Sequence, residues 1–335
     1  MDSLTHIVLG ACVGEAIGGK RLGKRAMLLG ATAQSIPDID FLATLWMDPA
    51  EELLAHRGFT HSILFVVLTT PFLALAAKRL LTERDVSIPK WIFFFGIQLV
   101  IHDFLDAFNA YGTGWFEPFN HSRISFQALY VADPFFSIWP ALAFVALLFL
   151  KTNNPKRIPW LWVGLIGSIL YLSYAVSNKF SIDAAVKAGL KEQNITFNRL
   201  LTTPTPLNNW LWWVVAEGPQ GYYVGFRSRF DQQATMDLHY FPKNDSLLTP
   251  VDAQEQTQHL KRFSQGYYTA EKRGDTLVFN DLRFGQNGWD NPKSKFVFNF
   301  YLSHPEDNKM VVQRGRFAQW NMKRTASFIR RIGGN

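Results

Sequence analysis

The chain has 335 residues, of which 48% are hydrophobic and only 18% charged, with 34 Lys and Arg against 27 Asp and Glu. That balance excludes a disordered chain and a collagen, and a single cysteine, Cys12, excludes a disulfide scaffold. The net charge of +7 belongs to the second half alone: residues 1–177 carry 13 basic and 13 acidic side chains, residues 178–335 carry 21 and 14.

In chain order, apolar segments at residues 4–18, 26–47, 59–77, 91–108, 135–150 and 159–177 predict six helices of a membrane bundle. Residues 59–77 hold no formal charge unless His61 is protonated, and residues 159–177 hold none. Each approaches the ~20 residues that span a bilayer. The second segment is interrupted at Ser35-Ile36-Pro37-Asp38-Ile39-Asp40. Asp2 stands where a secretory signal would carry basic residues, so the amino-terminal segment reads as a helix that is kept.

With alternating helices, the loops holding Lys20, Arg21, Lys24 and Arg25, then Lys78, Arg79, Arg84 and Lys90, then Lys151, Lys156 and Arg157 share one face. Basic loops accumulate on the cytoplasmic side. This predicts six crossings with both ends outside, in a bacterial inner membrane.

After residue 178 the pattern changes. Aromatic alternating stretches at 210–215 and 222–230 flank Glu217-Gly218-Pro219-Gln220-Gly221, a hairpin signal. Residues 275–284 and 295–302 predict further strands, and 251–264 an amphipathic helix. The expected fold is an α-helical membrane bundle over 1–177, followed by a soluble, outward-facing α+β domain over 178–335. Its basic charge comes without a helix-turn-helix, zinc-finger or RNA-binding signature, which speaks against a specific nucleic-acid partner.

The apolar half contains ionisable residues that a bilayer tolerates only for a reason: His6, Asp38, Asp40, His56, His61, His102 and Asp106. His6 opens the first helix, and Asp38 and Asp40 lie at the break of the second. His56 and His61 precede and begin the third, and His102 and Asp106 end the fourth. Antiparallel helices bring first ends beside last ends, so all seven converge at one membrane surface, opposite the basic loops. His102 and Asp106 share a helix face at i, i+4, and a bend at Pro37 is expected to turn Asp38 and Asp40 inward together. Imidazole and carboxylate suit zinc, manganese or iron. Seven ligands exceed one tetrahedral shell and would fit two metal ions, the pair that clamps the attacking and leaving oxygens of a phosphoester displacement.

Arg57, between two of these histidines, and Arg123, in the loop 109–133, are candidates to grip phosphate oxygens or, for Arg57, to pair with Glu51, Glu52 or one of the Asp ligands. Asp103 is a candidate proton shuttle. Asn109, Tyr111, Gly112, Thr113 and Asp133 are candidates to supply orienting hydrogen bonds or a further ligand. His121 reads as a surface residue, with lining the site as its alternative, His239, His259 and His304 as surface residues, and Cys12 and Glu15 as helix-packing residues.

The motifs Met1-Asp2-Ser3-Leu4-Thr5-His6, Ile36-Pro37-Asp38-Ile39-Asp40, His56-Arg57-Gly58-Phe59-Thr60-His61-Ser62 and His102-Asp103-Phe104-Leu105-Asp106 with Tyr111-Gly112-Thr113 resemble the membrane-bound metal-dependent hydrolase family. Some of its members are described as LexA-regulated inner-membrane-associated hydrolases. The four motifs cover about residues 1–135, and Pro204-Thr205-Pro206-Leu207-Asn208 resembles the tail of longer members. The family is distantly similar to zinc-dependent phospholipase C and the P1-type nucleases. That similarity implies the same seven residues as ligands and favours phosphoester hydrolysis. Those phospholipases begin with a ligating Trp amine, whereas this chain begins with Met1, which argues against a three-metal cluster.

The expected activity is hydrolysis of a phosphoester in a lipid or lipid-linked substrate by metal-activated water, with two zinc ions as the expected cofactor. The alternatives are a transporter or proton-coupled carrier using the His/Asp cluster, and a metal-stabilised receptor without enzymatic activity.

Overall fold

The structure, a computed structural model, describes residues 1–81, 85–287, 291, 294–302 and 320–335; Arg84 and His304 lie outside the described residues. The chain divides into two compact units, Met1–Ala43 with Ala55–Val176, and Thr44–Leu54 with Ser177–Asn335.

The first unit is helical. Asp2 caps α1 (Ser3–Leu22) by accepting from Thr5 N at 3.1 Å, and Gly23, at φ +57°, ends it. α2 (Lys24–Ser35) returns against α1, and its chain continues as a 3₁₀ segment, Pro37–Leu45. A Cβ on Gly14 would stand 2.1 Å from the Ala26 carbonyl oxygen, and one on Gly30 2.1 Å from the Gly10 carbonyl oxygen. The two backbones therefore touch, as small residues allow in membrane helix pairs. After α3 (Pro49–Ala55, shared between the units) and a 3₁₀ turn at Phe59–His61 come α4 (Ile63–Leu80), α5 (Ile88–Asp106), α6 (Pro134–Phe149) and α7 (Arg157–Glu192).

All six predicted segments are helical, but the described helices support three crossings rather than six. By length and composition α4, α5 and α7 qualify, and α6 is a shorter apolar helix. α2 has 12 residues, about 18 Å of helix against a hydrocarbon core of roughly 30 Å. α1 carries Glu15, Lys20 and Arg21. α7 also runs well past residue 177, with Lys179, Asp183, Lys187 and Lys191 recurring at helical spacing, and Asn194 at φ +55° follows its end.

Several polar groups inside the bundle are paired. Glu15 meets Arg157 Nη2 at 2.8 Å, and Arg157 Nη1 also donates to the Leu147 and Leu150 carbonyls. Gln34 Nε2 donates to Gln98 Oε1 at 2.9 Å, and Gln98 Nε2 to the Gly10 carbonyl at 3.2 Å. Cys12 is fully buried, with Sγ 3.5 Å from the Pro140 carbonyl.

The second unit contains an antiparallel sheet in the order β1 (Arg199–Pro204), β2 (Leu211–Glu217), β3 (Gly221–Ser228), β4 (Leu238–Pro242), and a second in the order β5 (Tyr268–Arg273), β6 (Thr276–Gln286), β7 (Phe296–Tyr301). The expected hairpin joins β2 to β3, closed by Gly218 N donating to the Gly221 carbonyl at 2.8 Å. Leu211–Ala216 is buried without a break, because both faces of β2 are covered. Trp212, Val214 and Ala216 pack with Ile182, Val186 and Leu190 of α7, while Trp213 and Val215 pack with Leu282 and Phe296. The Pro204–Asn208 motif closes the turn into β2: Asn208 Oδ1 accepts from Trp210 N and Leu211 N at 2.9 and 2.8 Å. Short helices α8 (Asp245–Leu248) and α9 (Glu255–Phe263) precede β5, and α10 (Met322–Ile332) ends the described chain.

Gly14→Val should therefore cost about 1–3 kcal/mol or more by forcing α1 and α2 apart. Ala16→Val, on the exposed side of the same helix, should cost a few tenths. Thermal unfolding of the detergent-purified proteins measures the difference.

Candidate metal centre

The polar residues of the first unit meet where α1 begins and α5 ends. His102 and Asp106 occupy the last turn of α5, with Nε2 and Oδ2 3.9 Å apart. Asp38 lies in the first turn of the 3₁₀ segment, and His61 closes the 3₁₀ turn before α4. One donor atom each from Asp38, His61, His102 and Asp106 falls within 4.8 Å of all the others. His61, His102 and Asp106 are fully buried, and the Asp38 side chain is 17% exposed.

Hydrogen bonds fix which atoms face inward. His102 Nδ1 lies 2.6 Å from the Gln34 carbonyl oxygen. A carbonyl only accepts, so Nδ1 carries the proton and Nε2 of the neutral ring is bare. His61 Nδ1 lies 3.4 Å from Asp40 Oδ2 and 3.1 Å from Thr60 Oγ1, which gives it the same tautomer. The two bare Nε2 atoms then stand 3.1 Å apart. Asp38 Oδ1 is 3.8 and 3.6 Å from them, and Asp106 Oδ2 is 3.4 and 3.9 Å away. Asp106 Oδ2 is buried and has the Arg57 guanidinium as its ion-pair partner, Nε at 2.9 Å. Four such donor atoms form a set that could hold a metal ion, and the Arg57 guanidinium balances part of the charge at Asp106. Ligands about 2.0–2.1 Å from a tetrahedral zinc are roughly 3.3–3.4 Å from each other, close to these separations. The residues fit a single four-coordinate ion.

The other three predicted ligands surround this set. The His6 ring stacks on His102 with centroids 3.8 Å apart, its Nε2 is 3.0 Å from Asp106 Oδ1, and its Nδ1 is buried without a partner. Met1 N also lies against Asp106 Oδ1. Asp40 diverges from Asp38 instead of pointing inward beside it. A 3₁₀ helix has three residues per turn, so side chains two apart leave in different directions. Asp40 instead accepts from Arg57 N at 2.7 Å and Thr60 Oγ1 at 3.2 Å, and its Oδ1 is 3.1 Å from His56 Nδ1. It stands behind His61 as the carboxylate that orients a ligating imidazole. His56 is 40% exposed.

Arg57 is buried, with Nε 2.9 Å from Asp106 Oδ2 and Nη2 donating to the Met1 carbonyl at 2.9 Å. Of the acids open to it in the sequence, it takes Asp106. Burial lowers its guanidinium from the ordinary value, opposed by Asp38, Tyr111 and Asp40. Its backbone is at φ +59°, a conformation that non-glycine residues adopt at a cost and that clusters at functional sites. The bond from Arg57 N to Asp40 and the one from Gly114 N to the Arg57 carbonyl, at 2.8 Å, hold it there.

Arg123 donates from Nη2 to the His56 carbonyl at 2.8 Å and from Nη1 to the Gly112 carbonyl at 3.4 Å. Gly112, at φ +69°, lets Thr113 bridge to Ile124; a Cβ there would meet the Ile124 carbonyl oxygen at 2.8 Å. Asp103 is buried, with Oδ1 lacking a partner. Asn109 caps its own loop, accepting from Tyr111 N at 2.9 Å, and Asp133 caps α6. His121 is exposed and bonded to Glu117; His239 and His259 lie in the second unit. Two contributors carry no sequence signal. The Gln34 carbonyl is a backbone atom, and Thr60 is named only by its place beside His61.

These features define a helical membrane protein with a buried His/Asp donor set. Residues 1–182 match the YdjM inner membrane protein family, and the chain belongs to it. It is similar to the YfhP protein of Bacillus subtilis strain 168, 29% identical over 177 residues, covering 51% of this chain and 53% of that one. It is also similar to the inner membrane protein YbcI of Escherichia coli K12, 24% identical over 169 residues, covering 48% of this chain and 90% of that one. The chain thus spans about half the length of YfhP. No solved structure matches. The family and the apolar helices support an inner-membrane location, the membrane part of the resemblance seen in the sequence. The family's name specifies neither a metal nor an activity.

Protein purified without chelator should carry bound metal that His102→Ala and Asp106→Asn lose and His121→Ala keeps, as elemental analysis would show. Asp40→Ala should weaken metal affinity about 10–100-fold, the usual effect of removing a carboxylate behind a ligating histidine.

Proposed function

We propose that this protein is a membrane-bound metal-dependent hydrolase acting on a phosphoester in a lipid or lipid-linked substrate. One observation carries the reading: Nε2 of His61 and of His102 and the carboxylates of Asp38 and Asp106 converge within 4.8 Å of one another in a buried pocket, each ring turned there by the group behind it. Those four residues hold a divalent ion. Zinc is the first candidate, and manganese and iron accept the same donors. The metal count in purified protein separates one equivalent, held by these four residues, from the two expected from the sequence. The ion supplies Lewis-acid polarisation and acidifies a water toward neutral pH.

The residues around the donor set have separate tasks. Asp40 and the Gln34 carbonyl keep the Nε2 atoms of His61 and His102 turned toward the ion. Arg57, the one guanidinium beside Asp106, neutralises charge that develops on phosphate oxygens. Asp103, a buried carboxyl group without a partner on Oδ1, takes or returns the proton. Arg123 positions the His56 backbone.

A lipidic substrate is supported by the side chains alternating with the acids. Ile39 and Phe41 follow Asp38 and Asp40 and are 46% and 63% exposed, and Phe59 and Phe119 are exposed on neighbouring loops. Apolar side chains around a polar pocket suit a site at headgroup depth. With the basic loops on the cytoplasmic side, the pocket faces outward.

Turnover of a chromogenic phosphodiester and a phosphomonoester should be abolished by chelator and restored by metal. Arg57→Ala should reduce it about 10²–10³-fold, the range for removing one donor to developing negative charge. Equal absence of turnover in wild type and His61→Ala over both substrates and a phospholipid panel would overturn the enzymatic reading.

A further inference from the structure

At the other end of the first unit lies a second feature that the hydrolytic reading does not use. The last turn of α1 and the first turns of α5 enclose a cleft of about 530 Å³. This is within the ~300–1,000 Å³ range of small-molecule sites. Ile17, Leu22, Val86 and Phe94 form its apolar wall, and Arg21 and Lys90 stand on it as cations. Arg21 is 15 residues along α1 from His6, and Lys90 is 12 residues along α5 from His102. At about 1.5 Å per residue the cleft is roughly 20 Å from the donor set.

Several buried polar groups in this unit are paired, Glu15 with Arg157 and Gln34 with Gln98 among them. Arg21 and Lys90 depart from that habit. Both are exposed, and among the described residues neither side chain has an ion-pair or hydrogen-bond partner. Their helix ends belong to the basic end of the bundle, with Lys20, Lys24 and Arg25 following along the chain. An occupant must therefore be apolar along most of its length and anionic at one end.

We infer that this cleft binds one anionic phospholipid, with acyl chain against Ile17, Val86 and Phe94 and phosphate between Arg21 and Lys90. Basic pockets between membrane helices take anionic headgroups in this way, each cation near the surface contributing roughly fivefold in affinity. The inference holds for either orientation of the bundle, since it requires only that this end lie at a membrane surface.

The test uses the full-length protein in detergent, delipidated and titrated with phosphatidylglycerol, phosphatidylcholine or inorganic phosphate, with bound lipid counted by native mass spectrometry. Phosphatidylglycerol should be retained in preference to phosphatidylcholine, with inorganic phosphate failing to displace it. Arg21→Gln/Lys90→Gln should lose about thirtyfold in affinity for it, with metal content unchanged as the check on folding. Arg21→Lys should keep the preference, which separates charge from fold. Equal retention of the two lipids, displacement by inorganic phosphate, or an unaltered double variant would each overturn the inference. None of these results bears on the metal centre, whose residues are untouched.

Discussion

Two unprotonated imidazole nitrogens, His61 Nε2 and His102 Nε2, face each other at 3.1 Å between two carboxylates inside a membrane-protein bundle. Left alone this arrangement is unfavourable, since burial strips each group of water and like lone pairs repel. Its geometry is nevertheless enforced from behind. The Gln34 carbonyl holds one ring, Asp40 and Thr60 hold the other, and Arg57 is locked in a left-handed backbone conformation against Asp106. The result is a donor set that could hold a metal ion, with the Arg57 guanidinium beside it.

The rest of the helical unit serves that placement. α1 and α2 touch through their glycines, which brings His6, at the start of α1, and Asp38, just past the end of α2, to the same level as the end of α5. Gln98, one turn before His102, ties Gln34 and the Gly10 carbonyl together, so the carbonyl that orients His102 belongs to a rigid pair of helices. Beyond the donor set, Gly112 folds the loop so that Arg123 reaches the His56 carbonyl. The polar residues of the bundle thus form a graded structure, from the inner donors through their orienting partners to loop braces.

Much of this was legible in order of type. Histidine and aspartate at the ends of apolar segments are conspicuous because a bilayer penalises them, and alternation of helix direction brings those ends together. The convergence of Asp38, His61, His102 and Asp106 follows that logic. The division of labour between Asp38 and Asp40 does not, because it depends on the chain entering a 3₁₀ turn at Pro37, and a bend of another kind would have turned both inward. The roles of Arg57 and Arg123 were open for a similar reason: both are long side chains whose partners are fixed by loop closure, one on Asp106 and one on backbone carbonyls. In the second unit the aromatic strands flanking Glu217–Gly221 were visible by alternation. β1, β4 and β5 were not, since Arg199–Pro204, Leu238–Pro242 and Tyr268–Arg273 lack a sustained run of β-branched or aromatic residues.

By itself the sequence determined the partition into an apolar helical half and a basic sheet-bearing half, and which residue types gather at one end of the helices, because hydropathy and side-chain chemistry act locally and need no partner. Only the tertiary structure decided how many helices are long enough to cross, which four donors face each other, and which nitrogen of each imidazole is bare. Those properties depend on distances between segments far apart in the chain, and a tautomer is set by the atom that happens to stand behind the ring.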